Sequence, residues 1–335
     1  MRRYFYHSFP LLLLAMTLGA DTPPTSETDA AEPAATAAAP EAASPETASA
    51  VPLLPVVLDG IKYTDQEVQG SATRAACRRL GIETIPIAYH GGVDFNESGE
   101  ITERNIVQFT RWVDRSIHRE STDFAVMDYE YPWWTELNAR ELAPERLAEI
   151  LGVYSEGLAI AKKIRPGARW GYWGLPTMRN VSQGWSDQGL SVNSLTLQQD
   201  AVYPGAYDCN PDEGPEEFGF YIERVLESVQ GKKPVWAFIN TRYCGQDGDR
   251  SQFIPVDDVL ANANAILKAS WTDPEGVVHR AHGIVVWDTY GWSSEAEWPQ
   301  LDRHNAMLFS RLHALTDLIG RTRTTQSEPE SESAP

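Results

Sequence analysis

Three consecutive stretches decide the fold: DFAVMDYEY (123–131), PERLAEILGVYSEGLAIAKKI (144–164) and RWGYWGLP (169–176). The outer two are short apolar and aromatic runs of strand length. The middle one places Leu147, Ile150, Leu151, Tyr154, Leu158 and Ala161 at helical spacing. Strand, helix, strand predicts a right-handed crossover between parallel strands. The same alternation extends in both directions. Strands are expected in VVLDGI (56–61), TIPIAYHG (84–91), DAVYPGAY (200–207), PVWAFINTRY (234–243) and HGIVVWDTYG (282–291), and a further helix in EEFGFYIERVLESVQG (216–231). Seven strands over residues 55–320 predict a single α/β domain, a seven-stranded (β/α) TIM-like barrel. A doubly wound open sheet is the alternative, but no Gly-rich phosphate turn follows the first strand.

The 335-residue chain is 42% apolar, 22% charged and 10% aromatic, a globular composition. Residues 1–20 combine Arg2 and Arg3, an apolar run and Leu18-Gly19-Ala20, which reads as a secretory signal; a short membrane anchor is the other reading. No stable membrane span is expected once the signal is cleaved, so the expected location is secreted or periplasmic. Residues 21–54 are Ala, Pro, Thr, Ser and Glu with no aromatic or basic residue, the composition of a disordered linker, and residues 321–335 read as a similar tail. The chain carries 28 Lys and Arg against 47 Asp and Glu, a net −19. The signal contributes +2, the linker −6 and the tail −1, leaving −14 on residues 55–320. So acidic a domain argues against nucleic acid, which needs clustered Lys and Arg. Of three cysteines, Cys77 lies in a helical stretch, while Cys209 and Cys244 each follow one of two consecutive strands. A Cys209–Cys244 disulfide is expected, in an oxidising compartment. No metal spacing, phosphate loop or Ser-His-Asp order stands out, and no cofactor is expected.

On a barrel, chemistry sits at the C-terminal ends of the strands. There the sequence places Asp128, Tyr129 and Glu130, then Tyr203 and Tyr207, Arg242 and Tyr243, and finally Trp287, Asp288 and Trp292. Aromatics and carboxylates on one rim suit a carbohydrate cleft. In an extended chain Asp128 and Glu130 point to the same side with Cα atoms ~6.6 Å apart. Two carboxylates so close cannot both ionise freely, so one is kept protonated, as a general acid requires. Neighbours on one strand lie on one side of the scissile bond, whereas a retaining nucleophile and acid flank it. That points to substrate assistance, in which a 2-acetamido oxygen attacks its own anomeric carbon, Glu130 protonates the leaving oxygen and Asp128 orients the acetamido N–H. Alone, Asp-x-Glu also suits a solvated or metal-holding pair.

Five segments in order resemble the animal and venom hyaluronidases, a family of endo-β-N-acetylhexosaminidases. They are FAVMDYEYPWW (124–134), RPGARWGYWGLPTMRN (165–180), AVYPGAYD (201–208), PVWAFINTRY (234–243) and GIVVWD (283–288). DYEYP (128–132) also looks like the end of the chitinase Asp-x-Glu signature, a weaker similarity. The resemblance implies a distorted (β/α) barrel with an open cleft, and a glycoside hydrolase acting on a polysaccharide or oligosaccharide. It implies Glu130 as acid/base, Asp128 as acetamido orienter, Tyr203 beside the acetamido group and Trp287 under the sugar. Tyr89, Tyr129, Trp133, Arg179, Asn180, Arg242 and Asp288 are further cleft candidates. Arg179 stands where the family has Tyr, and Asp288 where it has Gly, which adds an anion to the cleft. These departures keep two alternatives open: a catalytically silent glycan-binding barrel, and a glycosidase acting on another sugar.

Overall fold

A computed structural model describes residues 54–65, 67–139, 142–177, 192–209, 214–243 and 252–327. The strands are β1 (Val56–Asp59), β2 (Ile87–Ala88), β3 (Phe124–Met127), β4 (Arg169–Tyr172), β5 (Trp236–Asn240), β6 (Ser270–Thr272), β7 (Val278–Arg280) and β8 (Gly283–Trp287). The helices are α1 (Ser71–Leu80), α2 (Glu103–Ser116), α3 (Trp134–Leu137), α4 (Pro144–Ile164), α5 (Val192–Gln198), α6 (Pro215–Val229), α7 (Val256–Lys268) and α8 (Trp298–Ser327). The fold is mixed α/β, with two three-stranded parallel sheets ordered β1-β8-β5 and β2-β3-β4. The 144–164 helix has the expected bounds, with Pro144 in its first turn, where a missing N–H costs nothing.

Each sheet is apolar on both faces, as parallel strands covered by helices must be. Leu58, Ile87, Val126, Trp236, Phe238 and Val285 turn inward to one shared cluster. On the outer face of the first sheet, Val57, Ala237, Ile239, Ile284 and Val286 pack with side chains of α6, α7 and α8. Ala125, Met127, Trp170 and Tyr172 pack with α2 and α4 on the second. Single parallel bridges lie beyond the named strands: Asp59 with Thr84, Trp173 with Tyr203, Val202 with Val235 and Gly205 with Phe238.

DAVYPGAY departs from expectation. It makes these bridges but no strand, because Pro204 has no N–H to donate to a ladder. An antiparallel hairpin, β6–β7, was not anticipated. The C-terminal helix runs on to Ser327, past the expected end of the folded part at 320. Among the described residues no helix is long and apolar enough to cross a membrane. Cys77 is a buried free thiol. Cys244 lies outside the described residues, and the Cys209–Cys244 pairing remains an expectation.

One tertiary contact substitutes for a missing local one. α1 begins after Gly70, which has no side chain to cap the first N–H groups. Asp302 of α8 supplies the carboxylate instead, accepting from Ala72 N at 2.8 Å, Thr73 N at 2.8 Å and Thr73 Oγ1 at 2.7 Å. Burial works against ionisation of Asp302, but the bonds from Ala72, Thr73 and Ser71 outweigh it and hold the carboxyl below its usual range. Its contribution is therefore present above that range and lost as pH falls through it. Asp302→Ala should lower the unfolding free energy at pH 7 by about 2 kcal/mol in a denaturant titration. A loss below about 0.5 kcal/mol would mean that α1 is not held this way.

Candidate functional site

β3 runs out at Met127, and the backbone beyond it is pinned from three directions. Asp128 N donates to Ala88 O at 2.9 Å, Gly91 N donates to Asp128 O at 2.9 Å, and Trp134 N donates to Glu130 O at 2.6 Å. The side chains keep strand alternation although the segment is not itself strand. Tyr129 points into the outer core, where its hydroxyl donates to Asp94 Oδ2 at 2.9 Å and accepts from Trp133 Nε1 at 3.0 Å. Tyr154 reaches the same residue from α4, its hydroxyl donating to Tyr129 O at 2.6 Å. Asp128 and Glu130 point the other way, into a pit of about 40 Å³ walled by Ile87, Tyr89, Trp173, Tyr207, Phe238 and Trp287. A pit of that size takes a few waters or one small substituent, not a sugar ring.

The walls are an aromatic stack. Tyr207 lies between two tryptophans, 5.4 Å from Trp173 and 5.7 Å from Trp287 between ring centroids. Trp173 stacks in turn on Trp134 at 5.2 Å, and Trp287 meets Trp292 edge-on at 5.0 Å. Trp287 Nε1 donates to the Tyr89 hydroxyl at 3.3 Å. The pit can therefore hold an apolar or amide group against flat faces while offering it two carboxyls.

Those carboxyls are electrostatically frustrated. Burial pushes Asp128 up to about 7, the Glu130 charge adds to this, Lys62 opposes it and Glu97 reinforces it. Asp128 Oδ1 is buried with no hydrogen-bond partner. Glu130 is raised as well, by burial and then by Glu97. The pair is best described by shared protons rather than by two independent groups. Lys62 stands at the rim with Nζ 4.3 Å above the Tyr89 ring and 3.4 Å from His90 Nε2. Glu97 is carried by a loop knotted to Asp94, whose carboxylate accepts from Gly99 N at 2.7 Å, Ser98 Oγ at 3.1 Å and Asn105 Nδ2 at 3.0 Å.

Asp128, Glu130, Tyr89 and Trp287 are thus brought together. Tyr203 is not among them. It is 0% exposed within the inner cluster, edge-on to Phe238, and its hydroxyl has no partner. Four residues of extended chain, about 13 Å, carry the same face onward to Tyr207, which lines the pit instead. Tyr129 and Trp133 are core residues: alternation turns Tyr129 away, and Trp133, in the turn before α3, donates to the Tyr129 hydroxyl; an arginine, Arg146, covers the Trp133 ring at 4.8 Å. Arg242 and Asp288 also leave the cleft. Both are 2% exposed and ion-paired to each other, with Arg242 Nη1 on Ser293 Oγ at 2.9 Å and Nη2 on Thr289 O at 2.6 Å. Asp288 therefore adds no free anion to the site, and one motive for a silent barrel falls away. Arg179 and Asn180 lie outside the described residues. Trp173 and Glu97 went unpredicted. The alternation that selected Asp128 and Glu130 would have found Trp173 beside β4, while nothing in the Glu97 loop signalled its approach.

No protein-family model matches the chain. Two curated hyaluronidases do. One from Polistes annularis is 25% identical over 151 residues, covering 42% of this chain and 39% of its own. One from Polybia paulista is 30% identical over 151 residues, covering 42% of this chain and 50% of its own. The chain is a divergent relative of the hyaluronidases. It spans half or less of the length of the curated relatives it matches. Crystal structures of bee venom hyaluronidase, one of them in complex with a hyaluronic acid tetramer, share the fold at a TM-score of 0.52. The first is 15% identical and covers 77% of this chain and 99% of that one.

Ionising Asp128 in the folded state costs free energy that ionising it in the unfolded chain does not. That cost is absent below the usual carboxylate range, grows through it and is complete above about pH 7. Asp128→Asn should therefore raise the melting temperature at pH 8 and do so less, or not at all, at pH 4. Calorimetry at the two pH values checks this, and equal shifts at both would place Asp128 in a well-solvated setting.

Proposed function

We propose that the protein is an exported glycoside hydrolase that cleaves β-linked N-acetylhexosaminides in a polysaccharide, with retention and by substrate assistance. The observation that carries the reading is a raised carboxyl pair at the foot of an aromatic pit sized for one small substituent. The fit to a 2-acetamido group is chemical: a methyl for the flat ring faces, and an amide N–H for a carboxylate. The relation to hyaluronidases adds to it. The single bridges that join Asp59 to Thr84 and the 202–205 segment to its neighbours support a distorted seven-stranded barrel with the pit at its C-terminal rim.

In this reading the pair holds one proton near neutrality. With that proton on Glu130, Asp128 is ionised and accepts the acetamido N–H. Glu130 gives the proton to the leaving glycosidic oxygen while the acetamido carbonyl oxygen bonds to the anomeric carbon, forming an oxazolinium ion. Glu130, now a carboxylate, takes a proton from water as that water opens the ring, so the anomeric configuration is retained. Tyr207, not Tyr203, lies beside the acetamido group, and Trp287 and Trp173 wall it. The catalytic domain starts at about residue 55 and includes the C-terminal helix to Ser327, preceded by a signal at 1–20 and a linker at 21–54.

Two measurements test this. Wild-type protein incubated with hyaluronan, chondroitin and chitooligosaccharides should release new reducing ends, and Glu130→Gln should slow that release by about 10²–10⁴-fold. Wild type and variant equally inert on every N-acetylated glycan would end the proposal. Glu97 raises both carboxyls, so Glu97→Gln should lower them and move the alkaline limb of the kcat/KM profile to lower pH. An unmoved limb would show that Glu97 does not act on the pair.

A further inference from the structure

A second concavity lies at the opposite ends of the strands. It is a cleft of about 380 Å³ lined by Lys162, Arg169, Asp200, Lys232, Lys233 and the turn at Gly167. Arg169 opens β4, Asp200 opens the segment that leads to Tyr203, and Lys232 and Lys233 precede β5. These are strand N-termini, whereas Asp128, Glu130, Tyr207 and Trp287 lie at or beyond C-terminal ends.

The charges in the cleft do not cancel. Asp200 is fully engaged: Oδ1 accepts from Lys162 Nζ at 2.7 Å and Oδ2 from Trp170 N at 3.0 Å. Arg169 is held in place, with Nε donating to Thr122 O at 2.9 Å and the guanidinium 4.0 Å above the Phe124 ring. Lys232 Nζ reaches only the neutral Gln230 Oε1, at 2.9 Å. Lys233 is half-buried. Among the described residues no carboxylate pairs with Arg169, Lys232 or Lys233. Four cations against one carboxylate leave +3 in a single cleft of a chain whose net charge is −19. Arg169 and Lys232 are exposed, so the cleft is open to a ligand, and like charges gathered in one place attract an anion. A forked, pre-positioned guanidinium in the same cleft as two lysines suits a tetrahedral dianion, which offers several acceptor oxygens.

We propose that this cleft is a second binding site, distinct from the carboxyl pit, that takes a sulfate- or phosphate-type oxyanion on Arg169, Lys232 and Lys233. The site is independent of the glycosidase reading. Its ligand is either the free anion or the same group carried on a sugar chain.

The full chain is titrated with sodium sulfate and with sodium phosphate at constant ionic strength made up with chloride, following heat and amide chemical shifts. Saturable binding is expected, with shifts at residues 166–169 and 231–234. Lys232→Ala/Lys233→Ala should weaken it at least tenfold without changing the melting temperature in chloride, and Lys233→Glu should abolish it. A sulfated chondroitin tetrasaccharide that binds more tightly than inorganic sulfate supports a sugar-borne group, and one that binds no more tightly supports the free anion. A response equal to that of chloride, or variants with unchanged affinity, would overturn the proposal.

Discussion

Two carboxyls forced together between aromatic walls are the constraint around which the rest of this molecule is arranged. Asp128 and Glu130 cannot relax apart, because the chain that carries them is fixed by main-chain bonds to Ala88, Gly91 and Trp134. Tyr129 between them is anchored in the core by Asp94, Trp133 and Tyr154. Water cannot easily screen them, because Tyr89, Trp173, Tyr207 and Trp287 close around them. The free energy stored in that arrangement is offset by the packing of both sheets and is the kind of local cost that functional sites carry.

The Asp94 knot extends the same logic to a third carboxylate. One buried side chain gathers the loop that bears Glu97, the start of α2 through Asn105, and Tyr129. Burial raises the pair first, and the Glu97 charge that adds to it is placed by the same residue that anchors the Tyr129 side chain between them. Lys62 sits at the rim as the opposing charge, and Arg242, a stronger candidate by sequence, is spent on Asp288.

Much of the fold was legible because parallel strands and their crossover helices leave strong local signals. The 144–164 helix has the predicted bounds, and six of the seven strand candidates contain a named strand. DAVYPGAY has the apolar and aromatic composition of a strand, but Pro204 interrupts its ladder. In the site, period-two alternation puts Asp128 and Glu130 on one side, and the same alternation opposes Tyr129 to them although Tyr129 stands among the expected cleft residues. Alternation alone does not say how far along a segment the rim lies, so Tyr203 and Tyr207 are equivalent by sequence, and only Tyr207 lines the pit. Arg242 and Asp288 misled for a different reason: adjacent opposite charges at strand ends look like cleft residues until tertiary structure shows that they neutralise each other.

Carboxyl ¹³C NMR of the Asp and Glu side chains, followed from pH 3 to pH 9 in wild type and in Glu130→Gln, tests the central claim most directly. The account predicts a carboxyl assigned to Asp128 that titrates near pH 7 in the wild type and at lower pH once the neighbouring charge is gone. Asp128 and Glu130 each titrating in the ordinary carboxylate range, with Asp128 indifferent to the substitution, would contradict it.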